Sequence, residues 1–300
     1  YNSFYKVKLA RDDYAWISKN NALISKENNI LGEVLYEDYK NCPEEEIYMF
    51  KLNKKTPYIL SETNNGFDLT IYDMNNKIYP FGKYEFYIKR SGQKFGYSSY
   101  FNENNELIIK INKIKQKLKN ITVTIDAGHG GTEIGTIGCN GYKEKDFNLD
   151  IAKKLRKVLK ETGAKVIMTR ETDKNIGLYE RVKIANDNDS QIFISIHANA
   201  LPDSSLDMNI TGTEIYYFYP QSKKLANEII THLANKTGLS NRGVFAQSFA
   251  VIRNTNALSI LIEVGYMIDP EENQKLSNED FKNKVVDGIK EGLESFLNDI

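Results

Sequence analysis

The sequence predicts an α/β fold, a mainly parallel twisted sheet flanked by helices, preceded by a small mostly-β domain. Short β-rich runs separated by polar turns fill residues 1 to about 112. From residue 121, apolar strands alternate with helical patterns, which is typical of a parallel sheet covered by helices. The basic stretch Lys113–Asn120 lies between these regions. We therefore expect a β-rich domain at 1–116 and an α/β domain at 117–300.

The amino-terminal half contains four strand-like runs and no convincing helical period. Segments rich in Asn, Asp, Gly and Ser separate the runs, and such segments are typical of turns. We therefore predict a small antiparallel β domain. Its predicted strands are Glu46–Leu52, Phe67–Tyr72, Tyr84–Arg90 and Glu106–Ile111.

The carboxyl-terminal half has a regular alternation of elements. Its first helix is indicated by Phe147, Ile151, Leu155 and Val158, which recur at helical spacing. The predicted strands are 121–127, 164–169, 191–196, 214–219 and 258–264, and the predicted helices are 146–162, 178–188, 221–237 and about 281–293. In parallel sheets ligands bind outside the carboxyl ends of the strands, so those ends are the place to look for chemistry.

The composition excludes several classes of protein. With 41% hydrophobic and 27% charged residues the chain is globular, and a net charge of zero gives no general attraction to nucleic acid or a membrane surface. The longest apolar runs are far too short to span a membrane. Two cysteines, Cys42 and Cys139, make a disulfide framework unlikely by count and spacing. Because the chain begins at Tyr1, we expect that a signal peptide, an anchor or other residues were removed upstream.

Chemistry-bearing side chains lie at the ends of three predicted strands. His129 follows the first strand, His197 follows a later one, and Glu263 interrupts the last apolar strand. Glu144 lies just before the first helix. Two imidazoles and a carboxylate with one coordination position left open form the pattern of a catalytic zinc site. The long separations suit ligands gathered by a folded sheet.

Each of these residues also has an ordinary structural interpretation. A histidine in a glycine-rich turn can simply be exposed, and Glu144 could be a solvated acid favoured by the helix dipole. Glu263 is harder to explain this way because burying a lone carboxylate is costly. Asp126 could orient His129 or merely begin the turn. His232 lies within a helix and is predicted to be a structural or surface residue.

Several familiar motifs are missing. The GHGG segment lacks the third glycine of a dinucleotide fingerprint, and no Lys-Ser or Lys-Thr follows it as in a phosphate-binding loop. The chain also lacks the G-x-S-x-G turn of serine hydrolases. Metal-assisted hydrolysis is the chemistry that the ligand set supports by itself.

Taken in order, the motifs of residues 121–299 resemble the zinc-dependent N-acetylmuramoyl-L-alanine amidases, also called type-three amidases. The resemblance is carried by IDAGHGG, GYKEKDFNLDIA, VIMTRETD, LYERVKIAN, SIHANA, TGTEIYYF, NRGVFAQSFAVIRN and LIEVGYMIDPEE. It implies one Zn²⁺ held by His129, Glu144 and His197, with Glu263 as the catalytic glutamate. Two departures are visible. Ala257-Leu258 replaces a segment that often contains proline, and Tyr266 stands where the family commonly has phenylalanine.

The resemblance also implies a substrate and a location. The substrate would be peptidoglycan, cleaved between N-acetylmuramic acid and L-alanine, by a secreted or wall-associated protein outside the cytoplasm. Two alternatives remain: a catalytically weak peptidoglycan-binding protein, or a zinc hydrolase of this fold that cleaves another amide. No nucleic-acid partner and no membrane span in this chain are expected, and protein partners stay unknown.

Three further expectations concern the surroundings of the site. Some family members carry an inserted helix that blocks the zinc, but EIYYFYP runs almost directly into SKKLANEIITHL, so an open site is expected. The polar segment Leu201–Thr211 is predicted to be a mobile loop that either borders the substrate groove or is simply solvated surface. The amino-terminal half faintly resembles AMIN-type accessory domains. Its tyrosines could stack on wall sugars or form a core.

Overall fold

The structure is a computed structural model. It describes residues 4–8, 14–18, 31–63, 65–75, 82–89, 94–113, 117–200, 210–253 and 255–298. The chain divides into two compact units. One comprises 1–93 and 97–113, and the other 94–96 and 114–300.

The amino-terminal unit is built from short antiparallel strands. Its strands are β1 (Phe4–Lys8), β2 (Tyr14–Ser18), β3 (Val34–Asn41), β4 (Glu45–Leu52), β5 (Tyr58–Thr63), β6 (Gly66–Met74), β7 (Gly82–Lys89), β8 (Lys94–Phe101) and β9 (Glu106–Lys113). They form a β1–β2 pair, a four-stranded sheet in the order β3-β4-β9-β8, and a three-stranded sheet in the order β5-β6-β7. Alternate residues of these strands, such as Phe50, Leu69 and Ile109, form its core.

The four strands predicted for this unit are present, with ends shifted by a few residues. The sequence interpretation missed five others. The reason is clearest for β3, where only Val34 is partly covered and the following residues are exposed. A strand without a buried face has no alternating hydrophobic pattern by which it could be recognised.

The carboxyl-terminal unit is the predicted α/β domain. Its strands are β10 (Thr122–Ala127), β11 (Lys165–Met168), β12 (Ile192–Asn199), β13 (Thr213–Tyr217), β14 (Asn241–Ala246) and β15 (Leu258–Tyr266). Its helices are α1 (Glu144–Glu161), α2 (Leu178–Asp187), α3 (Lys223–Thr237), α4 (Ala250–Arg253), α5 (Pro270–Leu276) and α6 (Glu279–Asn298). The strand order is β11-β10-β12-β15-β13-β14.

The sheet is mainly parallel, as predicted. Strands β11, β10, β12 and β15 run in one direction, while β13 pairs antiparallel with β15 and parallel with β14. A large core that includes residues of α1, α3 and α6 covers one set of strand side chains. A smaller cluster with Val182, Phe193 and Val251 brings α2 and α4 against other strand side chains. Helices thus pack against the sheet in two separate clusters.

Several boundaries differ from the prediction. Helix α1 begins at Glu144 rather than at 146, so this residue belongs to its first turn. The short elements β14, α4 and α5 were missed because each lacks a long hydrophobic period. His232 lies on α3, partly exposed and 3.8 Å from Glu291, as expected of a surface residue.

The connection from β13 to α3 contains only residues 218–222, part of which is a 3₁₀ turn, so no helix is inserted there. Of the predicted polar loop, residues 201–209 lie outside the described residues. Both cysteines are free. Among the described helices, none combines the length and the apolar character needed to cross a bilayer.

Candidate metal centre

The ends of three neighbouring parallel strands bring the predicted site residues together. Strand β12 lies between β10 and β15, and all three run in the same direction. His197 of β12 is directly opposite Glu263 of β15 in the strand register. His129 follows the end of β10. The parallel topology therefore places these residues at one edge of the sheet, as the sequence predicted.

The turn that carries His129 has an unusual backbone. His129 has a φ of +59°, and Gly130 and Gly131 follow with +137° and +57°. A residue other than glycine rarely adopts this left-handed conformation, and such strain is concentrated at functional sites. The preceding Gly128 is required for a different reason, since a Cβ there would lie 2.3 Å from the His197 ring. The turn thus lets the two imidazoles approach, with ring centroids 5.0 Å apart.

Glu144 lies between the two histidines. Its Oε1 is 3.2 Å from His129 Nε2 and 2.9 Å from His197 Nδ1, and its Oε2 accepts a hydrogen bond from the Thr136 amide at 2.9 Å. Asn148 also donates to Oε1. Burial by itself would raise the pKa of this carboxyl, but the hydrogen bonds from His129 and His197 outweigh it and hold the pKa well below its usual range. Glu144 is 4% exposed, so it is not a solvated helix start.

The geometry of these three side chains fits a metal ion. One ligand atom from each of His129, Glu144 and His197 lies within 4.8 Å of the others, the only such group of His, Cys, Asp or Glu found among the described residues. Imidazole nitrogen and carboxylate oxygen are ordinary zinc donors, and three protein donors leave a position open. The ionised state of Glu144 is the state that a metal ligand requires.

Glu263 lies beside this cluster in a different environment. Its Oε2 is buried and has no hydrogen-bond partner among the described residues. Burial, followed by the nearby charges of Glu144 and Glu214, raises the pKa of Glu263 well above its usual value. A buried oxygen without a partner calls for an explanation, and a functional site is one of the accepted ones.

A cavity of about 250 Å³ connects the cluster with Glu263. Its polar lining includes His129, His197 and Glu263. Apolar walls are supplied by Leu178, Phe249, Val251 and Leu261. Convergent polar groups in a mostly apolar cavity are typical of an active site.

Asp126 lies beneath the His129 turn and is 1% exposed. Its Oδ1 accepts hydrogen bonds from Thr169 at 2.7 Å and from Arg181 Nη1 at 2.6 Å, and its Oδ2 accepts one from Ser195 at 2.8 Å. Arg181 in turn donates from Nη2 to the His129 carbonyl at 2.8 Å. Asp126 is therefore linked to the backbone of His129 through Arg181.

Sequence reasoning gave no role to two buried arginines. Arg170 and Arg181 lie in the segments VIMTRETD and LYERVKIAN, and both donate to backbone carbonyls of the turn before or at His129. A usable signal existed for Arg181, which shares the buried face of α2 with Val182 and Ala185. A charged residue at an apolar helical position indicates a buried partner.

A third arginine belongs to a network beside Glu263. Glu214 of β13 is directly opposite Glu263 in the antiparallel register. Its carboxylate accepts hydrogen bonds from Arg242 at 2.5 Å, Tyr216 at 2.5 Å and Tyr266 at 3.0 Å. These hydrogen bonds stabilise the negative charge of Glu214, the second carboxylate beside Glu263. The Tyr266 hydroxyl thus has a partner, at the position where the family commonly has phenylalanine.

Residues 123–295 match the Amidase_3 family model, described as N-acetylmuramoyl-L-alanine amidase. The chain is 36% identical to N-acetylmuramoyl-L-alanine amidase LytC of Bacillus subtilis over 185 residues, which are 62% of this chain and 37% of LytC. It is 30% identical to the probable cell wall amidase LytH of Staphylococcus aureus over 224 residues, 73% of this chain and 74% of LytH. The chain thus spans only about a third of the length of LytC.

A solved structure gives the same result for the fold. The catalytic domain of CwlV, an N-acetylmuramoyl-L-alanine amidase from Bacillus (Paenibacillus) polymyxa var. colistinus, superposes with a TM-score of 0.56 at 39% identity. The match covers 59% of this chain and 98% of that domain.

Proposed function

Because the chain belongs to the Amidase_3 family of N-acetylmuramoyl-L-alanine amidases, we propose that it cleaves peptidoglycan between N-acetylmuramic acid and L-alanine. His129, Glu144 and His197 hold one Zn²⁺, and Glu263 is the general base. The observation that carries this proposal is the cluster of three donors within 4.8 Å beside a buried carboxylate oxygen that lacks a partner.

Each side chain has a distinct task. Zinc, when bound, lowers the pKa of a water from 15.7 to about 7 and polarises a carbonyl group. Glu144 supplies an anionic donor, since its pKa is held low enough to stay ionised at neutral pH. Imidazoles bind a metal as neutral donors, so they would leave more of the ion's positive charge to act on a water than anionic donors would.

Glu263 transfers the proton. Its carboxylate accepts the proton of the attacking water and then donates it to the departing L-alanine nitrogen, so that an amine leaves. Burial and the nearby charges of Glu144 and Glu214 raise the pKa of Glu263, which makes its carboxylate a stronger base than an exposed one.

Asp126 and Arg181 stabilise the turn that carries His129. Asp126 neutralises and orients Arg181, and Arg181 holds the His129 carbonyl in its left-handed turn. In this proposal Asp126 orients His129 through the backbone of the turn, by way of Arg181.

The location and the amino-terminal unit complete the proposal. Action on the wall requires a position outside the cytoplasm, secreted or wall-associated, and a relative named as a probable cell wall amidase supports this. The boundary near residue 116 and a wall-binding role for the β-rich unit, including its exposed Tyr36 and Tyr39, stay proposals of the same kind.

Digestion of purified peptidoglycan tests the reaction. We expect soluble products with new L-alanine amino termini, lost on chelation, restored by Zn²⁺, and absent with Glu263→Gln. The control is Glu271→Gln, which changes an exposed carboxylate on α5. Zinc binding and wall binding without peptide release would favour the weakly catalytic wall-binding protein. Release from a different amide alone would favour a hydrolase with another substrate.

A further inference from the structure

Among the residues that the structure describes, Arg170 is the largest fully buried side chain, 1% exposed, and it is a charged one. It lies two residues beyond the end of β11. Its Nε donates to the Ala127 carbonyl at 2.9 Å, and its Nη2 donates to the carbonyls of Gly128 at 2.9 Å and Lys145 at 2.8 Å. Its Nη1 makes a longer bond of 3.3 Å to the Thr172 carbonyl.

All of these acceptors are neutral. Within the described part of the chain Arg170 forms no ion pair, whereas its neighbour Arg181 pairs with Asp126 at 2.6 Å. Burial, followed by the charge of Arg181, lowers the pKa of Arg170. A buried charge without a counterion is costly, and an apolar residue would fill the space at lower cost. The position therefore calls for a function that an apolar side chain cannot supply.

Three of these four acceptors have one property in common: they flank two of the candidate metal ligands, whereas Thr172 lies in the loop that follows Arg170. Ala127 and Gly128 precede His129, and Lys145 follows Glu144. A single nitrogen, Nη2, bonds to both segments. Because the guanidinium group is planar and rigid, it fixes the distance between the carbonyls that it bridges. Lys145 adds a second link, from its Nζ to the Gly131 carbonyl at 2.9 Å.

We propose that Arg170 is a positioning residue that sets the separation of His129 and Glu144 before metal binds. The inference rests on the proposed function for the identity of the bound ion, but it concerns metal affinity and not wall hydrolysis. Its physical basis is preorganisation. Three consecutive residues from His129 to Gly131 have positive φ, and without the guanidinium bridge this turn would be free to relax away from Glu144.

The informative substitution is Arg170→Lys, since it keeps the charge but replaces the fork with a single ammonium that cannot hold the same set of carbonyls. Arg170→Met removes the charge as well. The matched control is Arg156→Lys, at a partly exposed arginine of α1 that pairs with Glu171 at 2.7 Å.

Zinc affinity is measured by competition with a chromophoric chelator, and the coordination environment by the visible spectrum of the Co²⁺-loaded protein. Thermal unfolding of the metal-free variants is recorded in parallel. We expect Arg170→Lys to weaken zinc binding by about 10- to 100-fold and to alter the Co²⁺ spectrum while the protein stays folded. Arg156→Lys should match the original protein in both readouts.

Other outcomes decide against the proposal or against its premise. Unchanged zinc affinity and Co²⁺ spectrum in a folded Arg170→Lys or Arg170→Met would overturn the positioning role. Failure of both variants to fold would also overturn it, because Arg170 would then serve the fold as a whole. If the original protein itself bound no zinc, the proposed function would fall first, and that result is distinguishable from the other two.

Discussion

The start of α1 and the strand β15 each bring one carboxylate to the two histidines, but the two surroundings are opposite in character. Glu144 accepts hydrogen bonds on both oxygens, and the pKa of its carboxyl is held low. Glu263 has a buried oxygen without a partner, and its pKa is raised. Two carboxylates whose environments separate their pKa values are the arrangement by which a site assigns different tasks to one residue type. One residue is suited to hold a cation and the other to move a proton.

The largest expected effect tests the proton-transfer half of this comparison. Glu263→Gln should lower kcat on peptidoglycan by about 10²- to 10⁴-fold, because the amide cannot accept a proton. Zinc content, measured by elemental analysis, should stay at one ion per chain. A Glu263→Gln variant that retained full activity would remove Glu263 from the mechanism.

Asp126 extends the comparison to a third carboxylate. Like Glu144, it accepts hydrogen bonds on both of its oxygens. Asp126→Asn leaves Arg181 buried without its counterion, so we expect a loss of about 3–5 kcal/mol in the free energy of unfolding of the metal-free protein. Denaturant titration measures this. The control is Glu171→Gln, which breaks the exposed pair with Arg156 and should cost at most about 1 kcal/mol. Equal effects of the two substitutions would contradict the role given to Asp126.

The cation-binding half is tested by Glu144→Gln. Loss of the anionic donor should weaken zinc binding by at least about 100-fold, more than the loss of an outer partner of a ligand. Competition with a chromophoric chelator measures the zinc affinity of the variant. If Glu144→Gln lost activity but bound zinc normally, the two carboxylates would have exchanged roles.

The smallest expected effect is on the pH dependence of stability, and it follows from the raised pKa of Glu263. In the metal-free folded protein Glu263 binds its proton more tightly than in the unfolded chain, whose value is about 4.3. The charged carboxylate therefore weakens the fold above that pH, and the penalty disappears as the pH falls below it. Glu263→Gln should raise the Tm of the metal-free protein at pH 7 by about 2 °C or more. At pH 4 we expect no gain, and a gain that persisted there would have a cause other than ionisation.

How far the sequence could predict the molecule differs between the two units. The α/β alternation was predictable because buried parallel strands are almost continuously apolar and helices such as α1 repeat at 3.6 residues. The reversed direction of β13 was not, since an apolar strand has the same pattern in either direction. In the other unit, β3 was missed because nearly all of its side chains are exposed.

The site shows the same division. His129, Glu144, His197 and Glu263 were identified as candidates because their residue types suit metal chemistry. Three of them lie at strand ends, and Glu144 lies at a helix start. Arg170 was not identified, because its partners are backbone carbonyls up to 43 residues away. Every residue has such a carbonyl, so the sequence does not show which ones the arginine will contact. The links of Asp126 were hidden for a similar reason, since they come from three other elements of the fold.

The backbone turn at His129 has a consequence for protein engineering. The three candidate ligands lie on separate segments of the chain, and the turn that carries His129 accepts hydrogen bonds from arginines elsewhere in the chain. Copying the two histidines and the glutamate onto another parallel sheet would therefore transfer the residues without their geometry. A transplant would need residues 127–131, Asp126, Arg170 and Arg181 in addition to Glu144 and His197.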